Sequence, residues 1–309
     1  MTESTIQPSA GRSRRSARSR WALGWLDGVL LLCVAAALTY LVSRAGSVFQ
    51  YRWNWSGIWP YIVRFDEASG RWVANLLLDG LFTTFRLAVW GILLAGVIGV
   101  VMGLARTSKR LLFRLIGGGY VMLIRNIPPI VFVFVFVYFI ASQILPPQAI
   151  ANWVQGLPVF WQGVATVLFG PVRLIDNFFL GLICLSVFSG AYVTEIVRGG
   201  IQSVPGSQIE AGHSLGLSRL DILRFIVLPQ AWRNVLPPMA GQFIQLIKDS
   251  SLVSMVSIQE LTFSAQDVQV TTQRVFEVLV LVAVVYFVIC LTLSRLFARL
   301  ERNHARALH

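Results

Sequence analysis

Six stretches of this chain, about residues 22–43, 80–105, 126–146, 177–198, 236–257 and 275–297, are apolar over roughly the 20 residues that a helix needs to cross a bilayer. Backbone amides find no water in that medium, so a crossing segment must bond within itself as a helix or close into a barrel. Runs this long and unbroken fit helices. Composition agrees, because 56% of the 309 residues are hydrophobic and only 13% are charged, against about a quarter charged in an ordinary soluble domain. The predicted fold class is all-α, a polytopic membrane protein with six transmembrane helices. The first window follows a basic tail and lacks a small-residue cleavage site, so it reads as a retained span rather than a signal peptide.

Lysine and arginine set the orientation, since an inserting chain keeps them preferentially on the cytoplasmic side. The tail before the first span, the loop after the second, the long loop near residues 199–235 and the C-terminus together hold 18 of these residues, Arg125 among them, against 6 in the three opposite segments. Both termini and the 199–235 loop are therefore expected to be cytoplasmic. The net charge of +12 is accounted for by this topogenic pattern, with no nucleic-acid partner implied. Cys33, Cys184 and Cys290 fall singly in three apolar spans, and His213, His304 and His309 are scattered, so neither a disulfide framework nor a metal site is expected.

Residues 1–20, rich in Ser and Arg, are too polar to build a core and are expected to be disordered. The extra first helix and a Trp-rich outer loop occupy 21–79; Trp53, Trp55, Trp59, Tyr61 and Trp72 favour the headgroup level, so the loop is expected along the outer interface. A second outer segment, about 147–176, with Trp153, Pro158, Trp161 and Pro171, is expected to carry a short interfacial or re-entrant helix.

The most polar long loop reads as two helices around a bend. Ser207 before Glu210 fits a capping box for the first, and Ser218 before Asp221 caps the second, with Gly216 between them. Leu220, Leu223, Ile226 and Val227 give the second helix one apolar stripe, and Pro229 lacks the amide needed to continue it. The spacing Glu210, Ala211, Gly212, Gly216, Ile226, Leu228, Pro229 resembles the EAA loop of ABC-importer permeases, E-A-A, three residues, G, nine residues, I-x-L-P, with Gly212 standing where alanine is usual. The stretches RNIPP (Arg125 to Pro129), GAYVTEIVRGGIQSVP (Gly190 to Pro205) and LIKDSSLVSMVSIQELTF (Leu246 to Phe263) are similar to the polar amino-acid branch of type I importers, the branch of histidine, glutamate, glutamine, arginine and opine permeases.

That resemblance implies a five-helix permease core over 80–299, followed by a basic tail at 300–309. It implies that Glu210 to Gly216 form the coupling helix received by an ATPase, with Leu228 and Pro229 closing the motif. Implied partners are an ABC ATPase dimer, a second permease subunit, identical or homologous, an extracytoplasmic amino-acid-binding protein and the lipid bilayer. The chain has no P-loop of its own: such a loop ends in Gly-Lys, whereas Lys109 follows Ser108 and Lys248 follows Ile247. No cofactor is expected on this chain; ATP and Mg belong to the partner ATPase.

Ionisable groups inside a membrane face a cavity or a partner. Arg86, near the outer end of its span, either snorkels to water or meets substrate, and Glu195 either pairs with Arg198 or does so. Gln242, Gln245, Lys248 and Asp249 fall within an arc of about 120°, a polar stripe expected to face the interior. Neighbouring charges on a helix do not pair well, so Lys248 and Asp249 are expected to find partners elsewhere, in a structural network or on a zwitterionic solute. Ser250 points away and bonds its own backbone. The leading reading is the permease subunit of an ATP-driven importer of polar amino acids, not itself an enzyme, working by alternating access. An ion-driven secondary carrier would ordinarily show an internal duplication, an intramembrane enzyme needs a nucleophile–base or metal cluster, and a receptor or scaffold would recruit a partner at the elbow without transport.

Overall fold

The computed structural model describes residues 25–48, 53–67, 70–144, 146 and 148–306; the basic tail 1–20 lies outside them. The chain divides into two units at Trp53 and Asn54. In the first, α1 runs Trp25–Val48, an apolar helix with Asp27 in its first turn.

The second unit opens with a 3₁₀ turn Trp55–Gly57, α2 (Trp59–Ile62) and an antiparallel hairpin of β1 (Val63–Asp66) and β2 (Arg71–Ala74), the one sheet among the described residues. Helices follow: α3 (Leu76–Thr107), α4 (Leu111–Arg125), α5 (Pro129–Val135) with a π-helical turn Phe136–Ala141, α6 (Ser142–Ile144), α7 (Ala149–Gln155), α8 (Val159–Phe169), α9 (Ile175–Gln202), α10 (Gly206–Ser214), α11 (Arg219–Asp221), a π segment Ile222–Val227, α12 (Leu228–Asp249), a 3₁₀ stretch Ser250–Val256, α13 (Leu261–Thr272) and α14 (Val275–Arg306). The all-α class stands, with the small hairpin added. Residues 147–176 supply two short helices, α7 and α8, where one was expected.

Among the described residues three helical segments are long and apolar enough to cross a bilayer, Leu76–Thr107, Val172–Gln202 and Val275–Arg302. The expected six are not reached among the described residues: the first window forms α1, whose apolar stretch Trp25–Ala37 is shorter than a span, and two others differ in form. The span placed at 126–146 is the second arm of a broken pair, Leu111–Arg125 and Pro129–Ala141, bent by 109°. Pro128 and Pro129 force the break, because residues before proline leave the helical region and proline donates no amide. Arg125, assigned to an inner loop by charge, instead ends apolar α4, with its guanidinium 5.2 Å from the Tyr192 ring centre. The window at 236–257 is helix α12, which begins earlier and ends at Asp249 before tightening into the 3₁₀ stretch. Arg233, Asn234, Gln242, Gln245, Lys248 and Asp249 make α12 too polar to lie against lipid all round.

α3 is the hub. Gly80, Ala88, Gly91, Ala95, Gly99 and Gly103 are buried along it, a seam of small residues that lets neighbours approach closely where lipid gives no hydrophobic push between helices. A Cβ on Gly99 would lie 2.4 Å from Val193 Cγ1, one on Gly103 2.7 Å from Val197 Cγ1, and one on Gly91 3.1 Å from Leu246 Cδ2, which seats α9 and α12 against α3. A larger cluster around Leu87, Phe132, Phe136, Leu182, Leu185, Phe188 and Val253 joins α3, α5, α9 and the 3₁₀ stretch.

Candidate functional site

Two sites stand out, the elbow after α9 and the polar stripe of α12. Pro205, extended at φ −59° and ψ 133°, turns the chain into α10. The helix begins at Gly206, so Ser207 lies inside the first turn and makes no cap; the capping box expected from Ser207 and Glu210 does not form. Glu210 and Ala211 point to solvent, while Gly212 is buried. A Cβ there would sit 2.8 Å from Ile226 Cδ1 and 3.0 Å from Ile222 Cγ1, side-chain atoms that have to shift slightly to admit the alanine usual in the motif.

α10 ends in a Schellman motif. The Leu217 amide donates to Gly212 O at 3.1 Å and the Gly216 amide to His213 O at 3.0 Å, and Gly216 takes φ +75°, a conformation that suits glycine. Ser218 then caps the next helix as expected: its hydroxyl accepts from the Asp221 amide at 3.2 Å and donates to Asp221 Oδ2 at 2.6 Å. Ile222 and Val227 are buried with Val204, and Leu217, Leu223 and Ile226 pack on them. Leu220, expected in this stripe, is 75% exposed instead, because the π segment shifts the helical phase after α11.

Pro229 does not end the helix. The π segment widens the ladder so that the Leu228 amide reaches Leu223 O five residues back, and the chain passes through Pro229 directly into α12. The elbow is fastened to α12 by side chains: Gln230 Nε2 donates to Gln208 Oε1 at 2.5 Å, and Asn234 Nδ2 to Ser203 Oγ at 2.7 Å. The Glu210 carboxylate, exposed at the middle of α10, has no hydrogen bond or ion pair among the described residues.

The stripe divides. Gln242 is buried and its Nε2 donates to Ser189 Oγ of α9 at 2.8 Å, but Gln245 and Lys248 lie on the exposed side of α12, so the four residues do not share one interior face. At that level the buried positions of α12 are Leu246 and Ile247, both fully buried. Asp249, half-buried, accepts from Gln245 Nε2 at 2.8 Å and feels the charge of Lys248, whose ammonium makes no hydrogen bond or salt bridge among the described residues. Ser250 bonds the Ile247 carbonyl at 2.8 Å, as expected.

Arg86 is held by backbone of another helix. Its Nε donates to Val167 O at 3.0 Å and Trp90 Nε1 to Leu168 O at 3.2 Å, so the pair satisfies carbonyls left open at the C-terminal end of α8. Glu195 pairs with Arg198, at 2.7 Å and 2.8 Å, and also with Arg106 of α3, a partner that sequence spacing does not reveal because it lies on another helix.

Glu260 is the polar group that sequence reasoning left unweighed. It is fully buried; Oε1 accepts from the Phe263 amide at 2.9 Å, and Oε2 from Tyr286 Oη at 2.9 Å and Thr84 Oγ1 at 3.3 Å. The carboxylate thus joins α3, α13 and α14. The signal for it was an acidic residue immediately before an apolar helical run, a helix N-terminal position.

Residues 95–305, which hold the elbow and the stripe, match the family model of the binding-protein-dependent transport system inner membrane component. The chain belongs to that family. This permease is 34% identical over 252 residues to the glutamine transport system permease protein GlnP of Escherichia coli, covering 82% of this chain and 98% of the relative. It is 32% identical to the probable glutamine ABC transporter permease protein GlnM of Bacillus subtilis, covering 74% and 95%. A crystal structure of an amino acid ABC transporter with histidines superposes with a TM-score of 0.59 at 29% identity, over 74% of this permease and 94% of that chain.

Proposed function

We propose that this permease imports a polar amino acid of the glutamine or glutamate kind, with α10 as its coupling helix. The observation that carries the reading is the elbow itself: an exposed Glu210–Ala211 face on a nine-residue helix, bolted by Gly212, a Schellman turn and the Gln208–Gln230 bond to the helix that bears Lys248 and Asp249. An ATPase groove gripping α10 moves α12 with it. The ATPase is a separate polypeptide dimer that binds ATP and Mg, and a binding protein delivers the amino acid from outside. Both termini and the elbow face the cytoplasm.

A second permease, identical or homologous, covers the exposed side of α12, because Gln245 and Lys248 in a bilayer require polar company. Between the two subunits Lys248 supplies a cation for the substrate carboxylate and Asp249 an anion for its ammonium, and alternating access opens this path to either side. The glutamine relatives support the substrate class.

Reconstitution of the full chain with its ATPase and binding protein, followed by uptake of labelled glutamine, glutamate and arginine, tests the reading. Glu210→Ala is expected to leave assembly in the membrane intact and to lower substrate-stimulated ATP hydrolysis several-fold; Lys248→Ala and Asp249→Ala are expected to abolish uptake. Undiminished stimulation with Glu210→Ala rejects the coupling role, and undiminished uptake by both stripe variants rejects the path.

A further inference from the structure

The segment from Asn54 to Asn75 precedes the residues of the family match and takes no part in the elbow or the stripe. Its hairpin is amphipathic. Val63 pairs with Ala74 and Phe65 with Trp72, which puts these four side chains on one face, whereas Arg64 opposite Val73 and Asp66 opposite Arg71 occupy the other. Phe65 and Trp72 meet edge to face with ring centres 5.6 Å apart, yet remain 52% and 70% exposed. A sheet normally buries such a pair, and a two-stranded ribbon is marginal in water without cover for its apolar face.

The height of the ribbon is fixed by the spans. Asn75, the single residue between β2 and α3, donates its amide to Ile62 O at 3.0 Å and its side chain to Pro60 O at 2.7 Å. At the beginning of the segment the Asn54 amide donates to Glu277 Oε1 at 2.9 Å and the Arg274 guanidinium donates to Asn54 O, both partners at the start of α14. The segment that carries the ribbon is thus tied at its two ends, Asn75 and Asn54, to the starts of α3 and α14, both long and apolar enough to cross a bilayer. The opposite end of α3, at Gly103, packs on Val197 just before α9 leads into the elbow.

We infer that the ribbon is a lipid-contact element: it lies in the headgroup layer at the end of the molecule opposite the elbow, its Phe65–Trp72 face on acyl chains and its Arg64–Arg71 face toward lipid phosphates and water. Indole prefers that depth, phenyl is apolar enough to rest on the acyl chains beside it, arginine reaches phosphate from it, and the tether of one residue to a span leaves the aromatic face at the membrane boundary. That the leaflet is the outer one rests on the cytoplasmic reading of α10; the lipid contact does not.

The test uses the full chain, purified with its ATPase, with Cys33, Cys184 and Cys290 replaced by alanine and spin labels attached one at a time through Phe65→Cys, Trp72→Cys, Arg64→Cys and Arg71→Cys. In vesicles of phosphatidylethanolamine and phosphatidylglycerol, the ratio of collision rates with oxygen and with a water-soluble nickel chelate is expected to be several-fold higher at 65 and 72 than at 64 and 71. Nickel-dominated collisions at 65 and 72 would overturn the inference, as would low rates with both reagents, which would mark a protein partner on that face. Unlabelled protein gives a second readout: brominated acyl chains should quench less of the tryptophan emission after Trp72→Phe, and unchanged quenching would count against lipid contact. Neither result depends on transport, so the inference and the importer reading fail separately.

Discussion

At Gly212 and Gly216 the same residue type is needed for different reasons, and the two predict opposite outcomes. Gly212 lies within α10 with only the tips of Ile222 and Ile226 in the way of a Cβ, and a helix-interior alanine is favoured over glycine by about 1 kcal/mol. Gly212→Ala is therefore expected to leave thermal stability unchanged or slightly raised, with ATPase coupling intact. Gly216 has open space around it but φ +75°, and an alanine held there costs about 1–2 kcal/mol, so Gly216→Ala should lower the melting temperature and the coupling together. Glu260→Ala is expected to be worse than either, because it strands Tyr286 and the Phe263 amide in a buried pocket, a loss of about 1–3 kcal/mol for unsatisfied partners; a melting curve would show it. The Ser218–Asp221 cap was legible in the sequence because a cap is a local pattern. The pairing of Glu195 with Arg106 was not, because ninety residues of chain separate partners that only the α3–α9 packing brings together.

The elements show where hydropathy reading succeeds and where it stops. α3, α9 and α14 were legible because an uninterrupted apolar run of about 20 residues fits a spanning helix, far longer than a barrel strand. The break between α4 and α5 was missed because Arg114 and Arg125 make the first arm, Leu111–Arg125, read as a charged loop, so Pro128 and Pro129 read as the start of a span rather than as missing donors at a bend. Pro229 erred in the other direction: a proline rule predicts an end, but the π segment of Ile222–Val227 supplies an extra residue per turn and lets the helix continue. Removing the proline should allow this turn to relax to ordinary α geometry, rotating what precedes it by about 100°. Pro229→Ala is thus expected to lengthen the distance between spin labels placed at Gln208 and Gln230, whose side chains now meet at 2.5 Å, and to weaken coupling; an unchanged distance would reject the register argument.

Across the whole molecule the arrangement depends on α3, whose glycine seam sets how near α9 and α12 can come. Gly99→Val would drive a branched side chain into Val193, whose backbone carbon is itself only 3.0 Å from the added Cβ. Overpacking of this sort costs about 1–3 kcal/mol, so reduced yield in the membrane and a lower melting temperature are expected, with Val193→Ala in the same chain restoring part of both. Membership of the permease family was legible from the elbow and three further motifs, while the placing of Gln245 and Lys248 on an exposed flank was not, since a stripe on one helix does not say which neighbour it meets. From Arg219 through Pro229 to Asp249 the backbone coils without interruption, a length of about 46 Å at 1.5 Å per residue. In the proposed importer an arm of that reach is a geometric amplifier: a tilt of about 10° at Arg219 sweeps Asp249 sideways by about 8 Å, more than the width of a small solute, so a small push on the elbow is enlarged at the far end of the helix.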